Sequence, residues 1–91
     1  MEIEFDPSKD KINRRKHGIG LAAAAPIFSD FRIDYEDLAE DYDETRYITL
    51  GRISARTVVV CVWTPRGAKA RIISLRKADK DEREIYRFHR P

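Results

Sequence analysis

Arg66, Ser74 and Arg76 fall in one basic stretch, and Lys16, His17 and Tyr86 are the other side chains suited to holding or protonating a phosphate. Together they supply guanidinium donors, a hydroxyl, an ammonium, an imidazole and a phenol. Fork-shaped guanidinium groups match phosphoryl oxygens and stabilise negative charge as it builds on them. No carboxylate pair accompanies them, and no Cys/His cluster has metal-ligand spacing, since His17 and His89 stand alone. RNA cleavage without a metal needs this inventory: attack by the RNA's own 2′-OH, charge stabilisation on the phosphorane, and a proton for the departing 5′-oxygen. Each member also has a plainer role. His17 before Gly18 suits a helix end through the dipole. Ser74 suits a hydrogen-bonded strand, and Tyr86 a core position with its hydroxyl at the rim. On residue types alone, the chain is a phosphate-binding domain.

These side chains need a scaffold, and Arg56 to Arg76 supplies its centre. Val58, Val60 and Val62 alternate with Val59, Cys61 and Trp63, the pattern of a strand covered on both faces. Trp63 reads as core. Thr64-Pro65-Arg66-Gly67 reads as a type I turn, with Pro second and Gly fourth. In the following strand, Lys69 to Leu75, strict alternation places Arg71, Ile73 and Leu75 on one face. It places Ile72, Ser74 and Arg76 on the other. Polar residues beside Ile72 on an interior strand are a local misfit, and misfits mark candidate sites.

The rest of the chain reads in order. Glu2 to Phe5 is a short strand, and Asp6-Pro7 starts a helix from Pro7 to His17 that Gly18 ends. Ile12 is its one aliphatic contact. Leu21 to Phe28 has helical spacing and should lie against the sheet, with Pro26 kinking or ending it. Phe31 to Tyr35 and Thr45 to Ser54 have strand character. Asp34 to Glu44 holds seven acids and no base, either a solvated loop or a flap that shields basic groups. Asp79 and Glu82 form a capping box for a last helix, with Ile85, Phe88 and Tyr86 as its apolar residues. The order predicts an α+β fold, an antiparallel sheet with two N-terminal helices and a C-terminal helix on one face.

Ninety-one residues make a single domain over 1–91. Residues 1–50 carry 7 Lys/Arg against 12 Asp/Glu, and residues 51–91 carry 11 against 4, so the second half has the footprint of a phosphate-binding surface. Cys61 alone forms no internal disulfide and reads as a small buried hydrophobe. No signal-peptide pattern or long apolar run is present, so the expected location is the cytoplasm. No metal, other cofactor or membrane contact is expected.

The sequence resembles the BrnT family of type II toxin–antitoxin systems. The resemblance rests on FDPSK at Phe5–Lys9, Asn13, KHGI at Lys16–Ile19, FSD at Phe28–Asp30, ETRY at Glu44–Tyr47, Gly51, VVVCVWTPR ending at Arg66, RIISLRKA at Arg71–Ala78, Glu82 and Tyr86. Phe5 stands where the family often has Trp, and Pro65 stiffens the turn that carries Arg66. The resemblance implies a RelE-like fold, ribonuclease activity that arrests translation, and a BrnA-type antitoxin that contacts operator DNA for the complex. It also implies that Arg66, Ser74 and Arg76 form the catalytic group with help from Lys16, His17 or Tyr86. Arg46, Lys69, Arg71 and Lys77 are the further cations expected to hold RNA. The alternative is a non-catalytic toxin-like module that ties the antitoxin to its operator. A gyrase-directed poison is a third reading, because one fold hosts several activities.

Overall fold

Asp6 and Pro7 separate strand β1 (Glu2–Phe5) from helix α1 (Pro7–His17) in the computed structural model, which describes residues 1–91. Asp6 accepts a hydrogen bond from the Ser8 N–H, and Pro7 occupies the first turn, where a missing N–H costs nothing. Gly18 closes α1 at φ +74°, donating to the Arg14 carbonyl. Ile12 does not anchor this helix; it is 61% exposed. Asn13 does. Its amide donates to the Leu75 carbonyl at 2.8 Å and accepts from the Leu75 N–H at 3.0 Å. A side-chain amide thus pairs where a neighbouring strand's peptide would, just beyond the end of β1.

Leu21–Ser29 is a 3₁₀ helix rather than an α-helix, and it runs through Pro26. Three residues per turn align Leu21, Ala24 and Ile27 on one side, and all three are fully buried. Strands β2 (Ile33–Glu36), β3 (Tyr47–Ser54), β4 (Thr57–Arg66) and β5 (Lys69–Lys77) follow, then helix α2 (Lys80–His89). The sheet order is β1-β5-β4-β3-β2, with β1 parallel to β5 and the other neighbours antiparallel. The fold is α+β with a mixed sheet, not a purely antiparallel one. β1 reaches β5 through the whole intervening chain, so no hairpin dictates its direction.

Both faces of the sheet carry helices, contrary to the one-sided expectation. The 3₁₀ helix covers Val59, Cys61, Trp63, Ile72 and Leu75. Helix α2 lies on the opposite face, where Tyr86 packs with Leu50, Val58, Val60 and Ala78. Ile85 and Phe88 turn outward, at 49% and 84% exposed, so Tyr86 alone of the apolar trio enters the core. Gly51 is needed under the 3₁₀ helix, because a Cβ there would meet Ile27 Cγ2 at 2.7 Å.

The turn between β4 and β5 lies two residues later than its sequence signature. Arg66 pairs with Lys69, leaving Gly67-Ala68 as the loop, and Gly67 takes φ +60° as the first central residue of a type II′ turn does. Pro65 stays inside β4, where that strand has run past the start of β3 and no β3 residue pairs with it. A bulge resets β5. Val62 faces Ser74 while Trp63 faces Ile72, so Ile73 is the extra residue. Ile72 and Leu75 therefore share the core face, and Arg71, Ser74 and Arg76 share the other. The apparent misfit of Ser74 and Arg76 beside Ile72 disappears.

Candidate functional site: the uncovered half of the sheet

Helix α2 covers only the half of its face nearest Val58 and Val60. The register fixes what lies on the bare half and at its border with α2. Arg66 and Lys69 stand next to the turn. Thr64 faces Arg71, which faces Glu4 of β1. Val62 lies between Ser74 and Ile48, and Val60 between Arg76 and Leu50. Residues two apart share a face, so these rows follow one another at about 7 Å.

Arg71 and Ser74 occupy adjacent rows, with Arg66 and Lys69 one row before them and Arg76 one row after. Arg66 and Arg76 do not meet. The six residue steps along β4 from Val60 to Arg66 separate them by about 20 Å, more than two side chains can close onto one phosphodiester. The cations form a track along the strands instead of a clamp. Ser74 is half-buried with no hydrogen bond to its hydroxyl from within the chain.

Each arginine on this face has a carboxylate partner. Arg71 Nη1 donates to Glu4 Oε2 at 2.7 Å. Arg76 Nη1 and Nη2 donate to both Glu82 oxygens at 2.9 and 2.8 Å. Glu82 also accepts from the Asp79 N–H at 2.8 Å, completing the capping box of α2. The Arg76 guanidinium and, after it, the Asp79 backbone hold the Glu82 carboxyl down to about 2. Glu44, from the acidic segment, sits 3.6 Å from Arg46 and 3.7 Å from Arg66. That places one carboxylate of the flap between two cations of the face. The Arg46 guanidinium also lies 4.0 Å above the Tyr42 ring, and its buried Nε has no hydrogen-bond partner.

Four of the sequence candidates lie elsewhere. Tyr86 is 1% exposed, and its hydroxyl donates to the Phe31 carbonyl at 2.9 Å. Burial pushes its phenol up, with the Asp30 charge adding to the effect. It is a core tyrosine. Lys16 and His17 end α1, whose anchor to the sheet is at Leu75, and neither side chain ion-pairs or hydrogen-bonds to a residue of the bare face. Lys77 lies at the end of β5 away from the turn. Cys61 is fully buried, with its thiol pushed up to about 12 by desolvation, as its place in the valine run implied. Reasoning from the sequence missed Glu4, Glu44 and Glu82 as the arginines' partners. A capping box at Asp79 and Glu82 was visible in the sequence, but nothing local showed that Glu82 also faces Arg76.

The α+β fold is shared with a solved protein. The fold matches the crystal structure of the Brucella abortus ribonuclease toxin BrnT at a TM-score of 0.67, covering 88% of this chain and 99% of that chain at 22% identity. Residues 5–82 match the family model described as the ribonuclease toxin, BrnT, of type II toxin–antitoxin systems. The chain belongs to the BrnT toxin family. Membership implies ribonuclease activity at the level of the family and an antitoxin partner. No curated protein matches the chain. No helix is long and apolar enough to cross a membrane.

Proposed function

We propose that this chain is a metal-independent endoribonuclease of RelE-like architecture that cuts RNA in the cytoplasm and arrests translation. A BrnA-type antitoxin neutralises it, and operator DNA is reached only through that complex. The observation that carries this reading is the bare half-sheet with Arg71 and Ser74 in adjacent rows between Arg66, Lys69 and Arg76. An RNA strand lying along β4 and β5 meets a cation in each row but the Val62–Ser74 one. Arg71 then stabilises charge at the scissile phosphorane, Ser74 orients the phosphate, and Arg66 and Arg76 hold the neighbouring phosphates. Tyr86 is unsuited to donating the proton, being buried and committed to Phe31. Lys16 and His17 serve proton transfer for RNA that crosses the β5 edge near α1.

A second reading has its own support. Every arginine on the face is already paired with a carboxylate, as expected of a module that no longer receives RNA. Expressing the protein alone separates the two. Growth arrest with shortened transcripts, and cleavage of purified RNA that persists in EDTA, supports the enzyme. Healthy growth and intact RNA supports the module.

A further inference from the structure

A cleft of about 290 Å³ opens at the end of the β4–β5 hairpin remote from Arg66. Its walls carry Arg56 from the turn between β3 and β4, Lys77 from the end of β5, and Arg83 and Arg87 from α2. Arg83 and Arg87 are four apart, so they share one side of the helix. No acidic residue lines the cleft. Seven other arginines of the chain pair with a carboxylate; none of these four cations does. Arg83 is fixed by donating to the Ala78 carbonyl at 2.9 Å, which sets its guanidinium against the floor of the cleft. Gathering Arg56, Arg83 and Arg87 without a counter-charge opposes folding, and a bound polyanion removes that opposition.

We propose that this cleft anchors the phosphodiester backbone of a single RNA strand, at a site separate from the sheet face where cleavage is assigned. It rests on the reading of RNA as substrate. The cleft lies between a helix and a hairpin turn. Val58 in its lining and Thr64 beside Arg71 are six residues apart on β4, about 20 Å. A strand held at both places must therefore span several nucleotides, and anchoring favours long RNA over short.

The test is fluorescence anisotropy with 2′-O-methyl RNA of about twelve nucleotides, which lacks the attacking hydroxyl and is not cut. Arg83→Gln/Arg87→Gln should weaken binding at least tenfold. The slope of log affinity against log salt should fall by about 1.4, the single-strand value for two lost phosphate contacts. Arg56→Gln, in an exposed turn, gives half that slope change without touching α2, and circular dichroism verifies folding of both variants. Binding of a trinucleotide should be unaffected. An unchanged slope in folded variants overturns the anchor, as does an equal loss on the trinucleotide or a loss confined to duplex DNA. Because the probe is not cut, the anchor is read even if the wild-type protein cleaves nothing. If Arg71→Ala abolishes cleavage while the cleft variants keep the full slope, the anchor alone fails.

Discussion

The two ends of the β4–β5 hairpin treat their cations in opposite ways. Near the turn, Arg46, Arg66 and Arg71 sit against Glu44 and Glu4; at the far end, Arg56, Lys77, Arg83 and Arg87 have no carboxylate. A paired guanidinium is held in one place but must exchange its partner before it can bind phosphate. Exposed pairs are worth only about 0–1 kcal/mol, so that exchange costs little. An unpaired cation binds at once but is less well aimed. The paired end is suited to positioning a reaction, and the unpaired end to capture.

The largest effect expected from breaking this contrast is on chemistry. Arg71→Ala should lower RNA cleavage about 100-fold or more, the scale of losing a donor to a developing oxyanion. It should change the salt slope by no more than about 0.7. Single-turnover cleavage with a parallel binding titration checks both. A larger loss of binding than of cleavage would make the turn end a capture site too.

Asn13 fastens the β5 edge between the two ends. Asn13→Ala leaves the Leu75 N–H and carbonyl without their side-chain partner, at a cost of about 2–3 kcal/mol. That lowers the melting temperature by about 10–20 °C in a domain this size. Cleavage per folded molecule should be unchanged at a temperature where the variant is folded, which calorimetry beside an activity assay establishes. Lost activity in the folded variant would mean that the two ends are mechanically linked.

Glu82 gives the contrast a pH dependence. Its carboxyl is lowered from an ordinary value of 4.5 to about 2, so the Arg76 pair stabilises the fold fully above about pH 4.5. That contribution drains as pH falls toward 2, amounting to about 1–2 kcal/mol after solvent screening. Denaturant titrations between pH 6 and about pH 2 should show the loss in the wild type, and Glu82→Gln should flatten it. The smallest effect is at Glu44. Glu44→Gln unpairs Arg46 and Arg66 and makes the turn end resemble the far end, tightening RNA binding about 2–5-fold. Unchanged or weaker binding would show that Glu44 aims the arginines and does not mask them.

Local signals made much of the scaffold legible. Asp6-Pro7 and Gly18 bounded α1, Asp79 and Glu82 announced α2, and the valine run marked the central strand with Cys61 and Trp63 inside. The features that organise the candidate site are long-range or depend on counting. β1 lies parallel to β5 because of a pairing across more than sixty residues, Glu2 with Lys69. The 3₁₀ character of Leu21–Ser29 differs from an α-helix by a fraction of a residue per turn, so both readings bury Leu21 and Ala24. The resemblance quoted Arg66, Ser74 and Arg76 together, and chain proximity made a single clamp plausible. In the fold, a hairpin turn sends Arg66 and Arg76 to opposite ends of the uncovered half.

Ile73 acts as a phase shifter in an otherwise two-beat strand. Were that one residue paired in line instead of looped out, every side chain beyond it would fall half a cycle out of step. Leu75 would be driven into water and Arg76 into grease, while Lys69 to Ile72 stayed as they are. The division of labour between the two ends of the hairpin thus depends on the bulge that absorbs Ile73, and no conservative replacement at Arg71 or Arg76 could restore it once that bulge is ironed flat.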